Sequence, residues 1–522
     1  MANLTPELEK HRKKIEKVAK SYGLDFFETI FEVVNYDYIN QFAAYGGFPV
    51  RYPHWKFGME YEHLSKSYEY GLSKIYEMVI NTDPCYAYLM EGNLMMDQKL
   101  VMAHVYGHCD FFKNNIWFGK TNRKMMDQMA NHATRIRRYI DKYGYDTVEN
   151  FIDVCLSLEN LIDRFSPYVE KSRSIVKSDG STISKSSSNS DTEFDGSDED
   201  GSHQNPNDPH LLKVNKSYMR DYINPPEFVK EQQEKKRREN EDKFSKFPPE
   251  PEKDVLKFLM LYSPLPDWKK DIISIIRDES YYFAPQGMTK TMNEGWASYW
   301  HSKIMTEHIL TDAEIIDFAD HHSGTTQMQP NGYNPYKVGI ELMRNIEERW
   351  NRGQFGREWE DCDDIREKKN WDRKLGLGRQ KIFEVRKIYN DVTFIDEFLT
   401  EEFCVKNKFF VYKFNQKTNR FELDTRDFKA IKAKLLFHLT NFGQPIIKVE
   451  DANFGNRGEL LLTHHYEGID LQPDYMSQTL KNVFKIWMRP VNILTVMDND
   501  AQIFRFDGNE YTNTKISKTD EK

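Results

Sequence analysis

A chain of 522 residues is too long for one simple core and predicts two or three domains. Apolar residues make up 39% of it, charged residues 30% and aromatics 14%, which describes a globular protein and excludes disorder throughout. The net charge of -9 provides no basic field for collecting phosphates, so nucleic acid is not the expected partner.

The amino terminus, MANLTPELEKHRKKIEKVAK, is charged from the start and lacks the apolar core of a secretory signal. No apolar run approaches the roughly 18 to 20 residues that cross a bilayer, so no membrane insertion is expected. The five cysteines are scattered, odd in number and form no CxxC pair, which predicts reduced thiols and a cytoplasmic location.

In chain order, apolar residues at helical spacing predict a first helix over 7 to 22, closed by Gly23. Further helices are predicted over 61 to 80, 92 to 112, 121 to 143 and 147 to 164, with 46 to 58 as a loop rich in Gly, Pro and aromatics. The front of the chain, 1 to 170, therefore reads as all helix. Composition then changes: SDGSTISKSSSNSDTEFDGSDEDGS (178 to 202) and the charged run KEQQEKKRRENEDK (230 to 243) hold few large apolar residues. The whole span 171 to 253 is expected to be a disordered acidic insertion and linker, because it cannot offset its own ordering entropy.

Helical spacing resumes at 254 and continues to 378, completing the N-terminal domain. From 379 the pattern becomes short strands around helices: KFFVYKF, RFEL, a helix at 429 to 439, QPIIKVE, ELLLTHHY, a helix at 474 to 487, NILTVM and IFRF. That order predicts a smaller C-terminal domain over 379 to 512 with a mostly antiparallel sheet, and a disordered tail over 513 to 522. The expected fold class is α+β, with a large helical N-terminal domain.

Two segments carry candidate chemistry. AHVYGHCDFF places His104 and His108 four residues apart, so a helix puts both imidazoles within reach of one metal ion. Alone, such a pair is more often core than ligand. MNEGWASYWH holds Glu294 and His301, seven residues and about 10.5 Å apart along one helical face. Metallopeptidases of the gluzincin type join two histidines of one helix to a glutamate of a later one, and some have EGWA around that glutamate. The pattern predicts a gluzincin-like helical core in which His104, His108 and Glu294 bind a divalent metal, zinc by donor type, with one position open for water. Zinc peptidases place a glutamate base directly after the first histidine, where this chain has Val105. Glu279, Asp110 and His301 are the candidate bases in its stead. His301 could equally orient a ligand. His321 and His322 could line the same cleft, Lys113, Asn114 and Asn115 could cap a helix end or hold a substrate carboxylate or phosphate, and His308 is expected on the surface.

These segments, with YPHWKFG (52 to 58), VINTDPCYAYLMEGN (79 to 93), NPYKVGIELMRNIEERW (334 to 350) and GNRGELLLTHHYEGIDL (455 to 471), resemble the SpoVR family, that of stage V sporulation protein R. The resemblance implies a cytoplasmic protein linked to spore cortex formation or stress-related envelope processes. It also implies partners: a PrkA-type serine protein kinase and a von Willebrand factor A-like protein. Two functional classes follow from the residues: a metal-dependent amide hydrolase, or a non-catalytic helical scaffold whose metal site is structural or degenerate.

Overall fold

Cys85–Met90 is the central strand of a three-stranded sheet, parallel to Thr29–Val34 and antiparallel to Glu77–Ile80. Five of its six residues are buried, so CYAYLM presents an unbroken apolar run instead of the alternation that marks a strand with one wet face. The front of the chain is therefore not all helix. The helix expected over 61 to 80 is Trp55–Glu69, and Glu77–Ile80 is a strand, its β-branched end pairing with Tyr86 and Ala87.

The structure, a computed structural model, describes residues 4–69, 77–169, 174–176, 182–184, 225, 228–230, 234, 246–328, 332–416 and 418–516. Most of the acidic insertion expected over 171 to 253 lies outside the described residues, as does the tail from 517. The chain divides into two units, the first combining Met1–Leu156 with Asp267–Gln444 and the second Ser157–Pro266 with Pro445–Lys522.

In the first unit, the strand Cys85–Met90 leads into the helix Met95–Asn114, here the histidine helix, in which every residue from Met96 to Phe112 is buried. It is enclosed by other helices and by the strands Glu77–Ile80 and Cys85–Met90. Lys290–Ile304, the glutamate helix, packs on it, and Pro335–Arg352, the glycine helix, packs on the glutamate helix in turn. Both crossings are made at residues with little or no side chain. A Cβ on Gly107 would lie 2.7 Å from the Cα of Ala297, and one on Gly295 would lie 2.4 Å from the Cα of Gly339. Such spacing is open only to glycine.

Residues 379 to 444 belong to this helical unit. The strands expected from 379 are preceded by the helices Gly378–Ile388, Asp391–Phe398 and Glu401–Lys406. The last two begin at side-chain caps, Asn390 accepting from Thr393 N and Thr400 from Phe403 N. The hairpin Val411–Asn415 with Arg420–Thr425 follows, then the helix Phe428–Leu439.

The second unit is a five-stranded sheet ordered Tyr511–Lys515, Asp500–Phe506, Val491–Met497, Glu459–His464, Ile447–Phe454. Its pairs are antiparallel except Glu459–His464 with Val491–Met497, which the helix Pro473–Trp487 connects. Residues 513 to 515, expected in a disordered tail, are part of the edge strand. Glu252, expected in the linker, bridges to Val449. The fold is α+β.

Candidate metal centre

The Gly107–Ala297 contact explains why two distant segments share a site. His104 and His108 lie three residues before and one after Gly107, while Glu294 lies three before Ala297, so the close approach carries all three to one point. Their ligand atoms fall within 4.8 Å of one another. Glu294 Oε2 is 3.5 Å from Nε2 of His104 and 3.5 Å from Nε2 of His108.

Each imidazole is held by its other nitrogen. His104 Nδ1 lies 2.7 Å from His301 Nδ1, and His108 Nδ1 lies 2.9 Å from the side-chain oxygen of Asn293. A proton on Nδ1 donated to these acceptors leaves Nε2 as a lone-pair donor toward Glu294, the tautomer a metal ligand requires. In the same arrangement His301 carries its proton on Nε2, a buried atom with no hydrogen-bond partner among the described residues.

Burial favours uncharged rings at His108 and His301. Burial lowers the His108 pKa to about 4, assisted by the neighbouring His104, and burial with His104 holds His301 well below the ordinary histidine range. Burial works to raise Glu294, but the imidazoles of His108 and His104 outweigh it and keep the carboxyl below its ordinary value. Neutral rings and an ionised carboxylate are the forms that bind a divalent cation. The Glu294 side chain is 16% exposed against 4% and 6% for the two histidines, although its Oε2, the atom facing them, is buried.

The remaining predicted residues divide between this cluster and the frame around it. His322 meets His301 edge to face, with ring centroids 5.7 Å apart, and stacks on Phe318. Asp110 points elsewhere. Its carboxylate accepts from Arg386 Nη1 at 2.9 Å through both oxygens, from Trp296 Nε1 at 2.8 Å and from Asp25 N at 2.8 Å. Burial pushes that carboxyl up, to about 6, while Arg386 opposes the shift. Glu279 belongs to a different buried cluster, 2.6 Å from Arg51 Nη2 and 3.1 Å from His132 Nδ1. Asn114 donates to the carbonyls of Asp25 and Asp110, and Asn115 to those of Arg386 and Tyr389, so both serve the backbone at the helix end. Lys113 pairs with Asp25, and His308 meets the Tyr22 hydroxyl. Val105 is fully buried apolar core.

Sequence reasoning passed over three participants. Asn293 stands directly before Glu294, and the need of a ligating imidazole for an Nδ1 acceptor was its available signal. Tyr336 lies nearly parallel to His104, with centroids 6.3 Å apart. Asp391 accepts the backbone N–H groups of Thr291 and Met292 at 2.8 and 2.9 Å, capping the glutamate helix from a distant segment. Asp391→Ala is expected to lower stability by about 2 kcal/mol, read from the shift of a urea unfolding curve. An unchanged curve would mean that those amides find other partners.

The family model described as SpoVR like protein matches residues 3–444. The chain belongs to the SpoVR family. That match includes the metal-ligand group and, besides nearly all of the first unit, residues 157–266 of the second, and it stops at Gln444. The chain is also similar to the uncharacterized protein YcgB of Escherichia coli (strain K12), 27% identical over 511 residues, covering 92% of this chain and 90% of that protein. No solved structure matches the chain. No helix among the described residues of this SpoVR-like protein is long and apolar enough to cross a membrane.

Proposed function

We propose that this SpoVR-like protein holds a divalent metal, by donor type zinc, on His104, His108 and Glu294, and uses it to hydrolyse an amide. One observation carries the reading: three ligand atoms lie within 4.8 Å, and each imidazole has its Nδ1 engaged so that Nε2 faces the carboxylate. The donor set fits, since two neutral imidazoles and one carboxylate form a ligand set found in hydrolytic zinc sites, which keep a position open. When bound, such an ion acidifies water and polarises a carbonyl. The chain's own residues supply the rest. The Asn293 side-chain oxygen favours a proton on His108 Nδ1, and His301 engages His104 Nδ1. Of the candidate bases, Asp110 and Glu279 are engaged in other ion pairs, and His301, its Nδ1 taken by His104, has an Nε2–H that can donate a hydrogen bond but no free lone pair to act as a base.

The proposal extends to a cytoplasmic role in spore cortex formation or a stress-related envelope process, alongside a PrkA-type serine protein kinase and a von Willebrand factor A-like protein. Co-purification with each candidate tests that part.

The metal is tested by elemental analysis of protein produced with zinc, iron and manganese supplied. About one equivalent per chain is expected, falling below about a tenth in His104→Ala and Glu294→Gln, each still folded by circular dichroism. A protein that carries no metal under any supply sinks the reading. In a cobalt-substituted sample, acetohydroxamate is expected to change the visible spectrum through the open position. An unresponsive spectrum would favour a helical scaffold with a closed ion.

A further inference from the structure

A cavity of about 460 Å³ in the first unit lies between Tyr333, the strand beginning at Val411 and the helix Phe428–Leu439. Its size falls in the range of small-molecule sites. The floor is apolar: Ile431 and Leu435 are buried, and Phe409 is half-buried beside them. The rim is cationic. Lys408 and Lys434 are exposed, line the cavity, and form no ion pair with any carboxylate among the described residues. Among the described residues no acidic side chain lines it, in a chain where Asp and Glu outnumber Lys and Arg by 82 to 73.

An apolar floor beneath two unneutralised ammonium groups selects a ligand with an apolar body and an anionic end. A bare anion would leave the floor unused, and a neutral hydrocarbon would leave the lysines unused. The wall also touches the helix that carries Glu294: the Tyr333 hydroxyl lies 2.6 Å from the Thr291 hydroxyl, three residues before Glu294. We propose that this cavity binds a single-chain aliphatic carboxylate, its chain over Ile431, Leu435 and Phe409 and its carboxylate between Lys408 and Lys434.

Calorimetric titration of the full-length protein with dodecanoate tests this. Saturable binding of one dodecanoate per chain is expected, with dodecanol at least about tenfold weaker because it lacks the charge. Lys408→Glu/Lys434→Glu, changed at exposed positions that leave the core intact, is expected to lose at least about tenfold in affinity. His104→Ala is expected to bind dodecanoate unchanged, which separates this site's fate from that of the metal centre. Non-saturable uptake, equal affinity for dodecanol, an unaffected lysine double variant, or binding only to phosphatidylglycerol vesicles and not to free dodecanoate would each overturn the proposal.

Discussion

Gly339→Ala is expected to cost the first unit at least about 3 kcal/mol and to strip most of the bound metal, because the added methyl has nowhere to go. A Cβ there would lie 2.2 Å from the Thr291 carbonyl oxygen and 2.6 Å from the Cα of Gly295, all backbone atoms. Side chains can rotate away from an intruder, but two helix backbones must separate. The glutamate helix would shift where Glu294 adjoins Gly295, moving one ligand of three. Gly324→Ala is the matched control. It adds the same methyl to a helical glycine with nothing within 4 Å of the new atom. That change is expected to be neutral or stabilising by up to about 1 kcal/mol. Urea unfolding followed by far-ultraviolet circular dichroism, with elemental analysis of each variant, reads both effects. A Gly339→Ala protein as stable as the control would show that the helices do not cross this closely.

Asp110→Ala is expected to destabilise by about 3 to 5 kcal/mol, because it leaves the Arg386 guanidinium buried without its carboxylate. The side chains are 0% and 4% exposed, so water cannot replace the lost partner. The same carboxylate takes the Trp296 N–H, two residues beyond Glu294, while Asp110 itself stands two residues beyond His108. Asp110 is thus a strut between the two ligand helices, and metal affinity is expected to fall with stability. Removing both charges in Asp110→Leu/Arg386→Met should recover much of the lost stability, since a buried pair replaced by apolar groups is often near neutral. A loss under about 1 kcal/mol in the single variant would remove the strut from the account.

Chemistry and local structure were legible to different degrees. HxxxH at helical spacing and EGWASYWH could be picked out because a helix fixes which side chains share a face, and sequence spacing alone encodes that. The strand CYAYLM was not legible, since burial on both faces removes the alternation by which a strand is read. The helices after 378 were passed over because short caps such as Asn390 and Thr400 carry weaker signals than the strands that follow. Asp110 and Glu279 had the right chemistry for a base, but nothing in their spacing shows that Arg386, 276 residues on, and Arg51, 228 residues back, take those carboxylates.

The sequence by itself determined the α+β composition, the family, and the pairing of imidazoles one helical turn apart, because these depend on local periodicity and on contiguous motifs. Tertiary structure alone decided how closely Glu294 approaches them, that His301 and Asn293 engage their Nδ1 atoms, and that Asp110 braces the helices. The physical reason is the approach of Gly107 to Ala297 and of Gly295 to Gly339. Each glycine is visible in the chain, but which backbone it admits is a property of helices packed together.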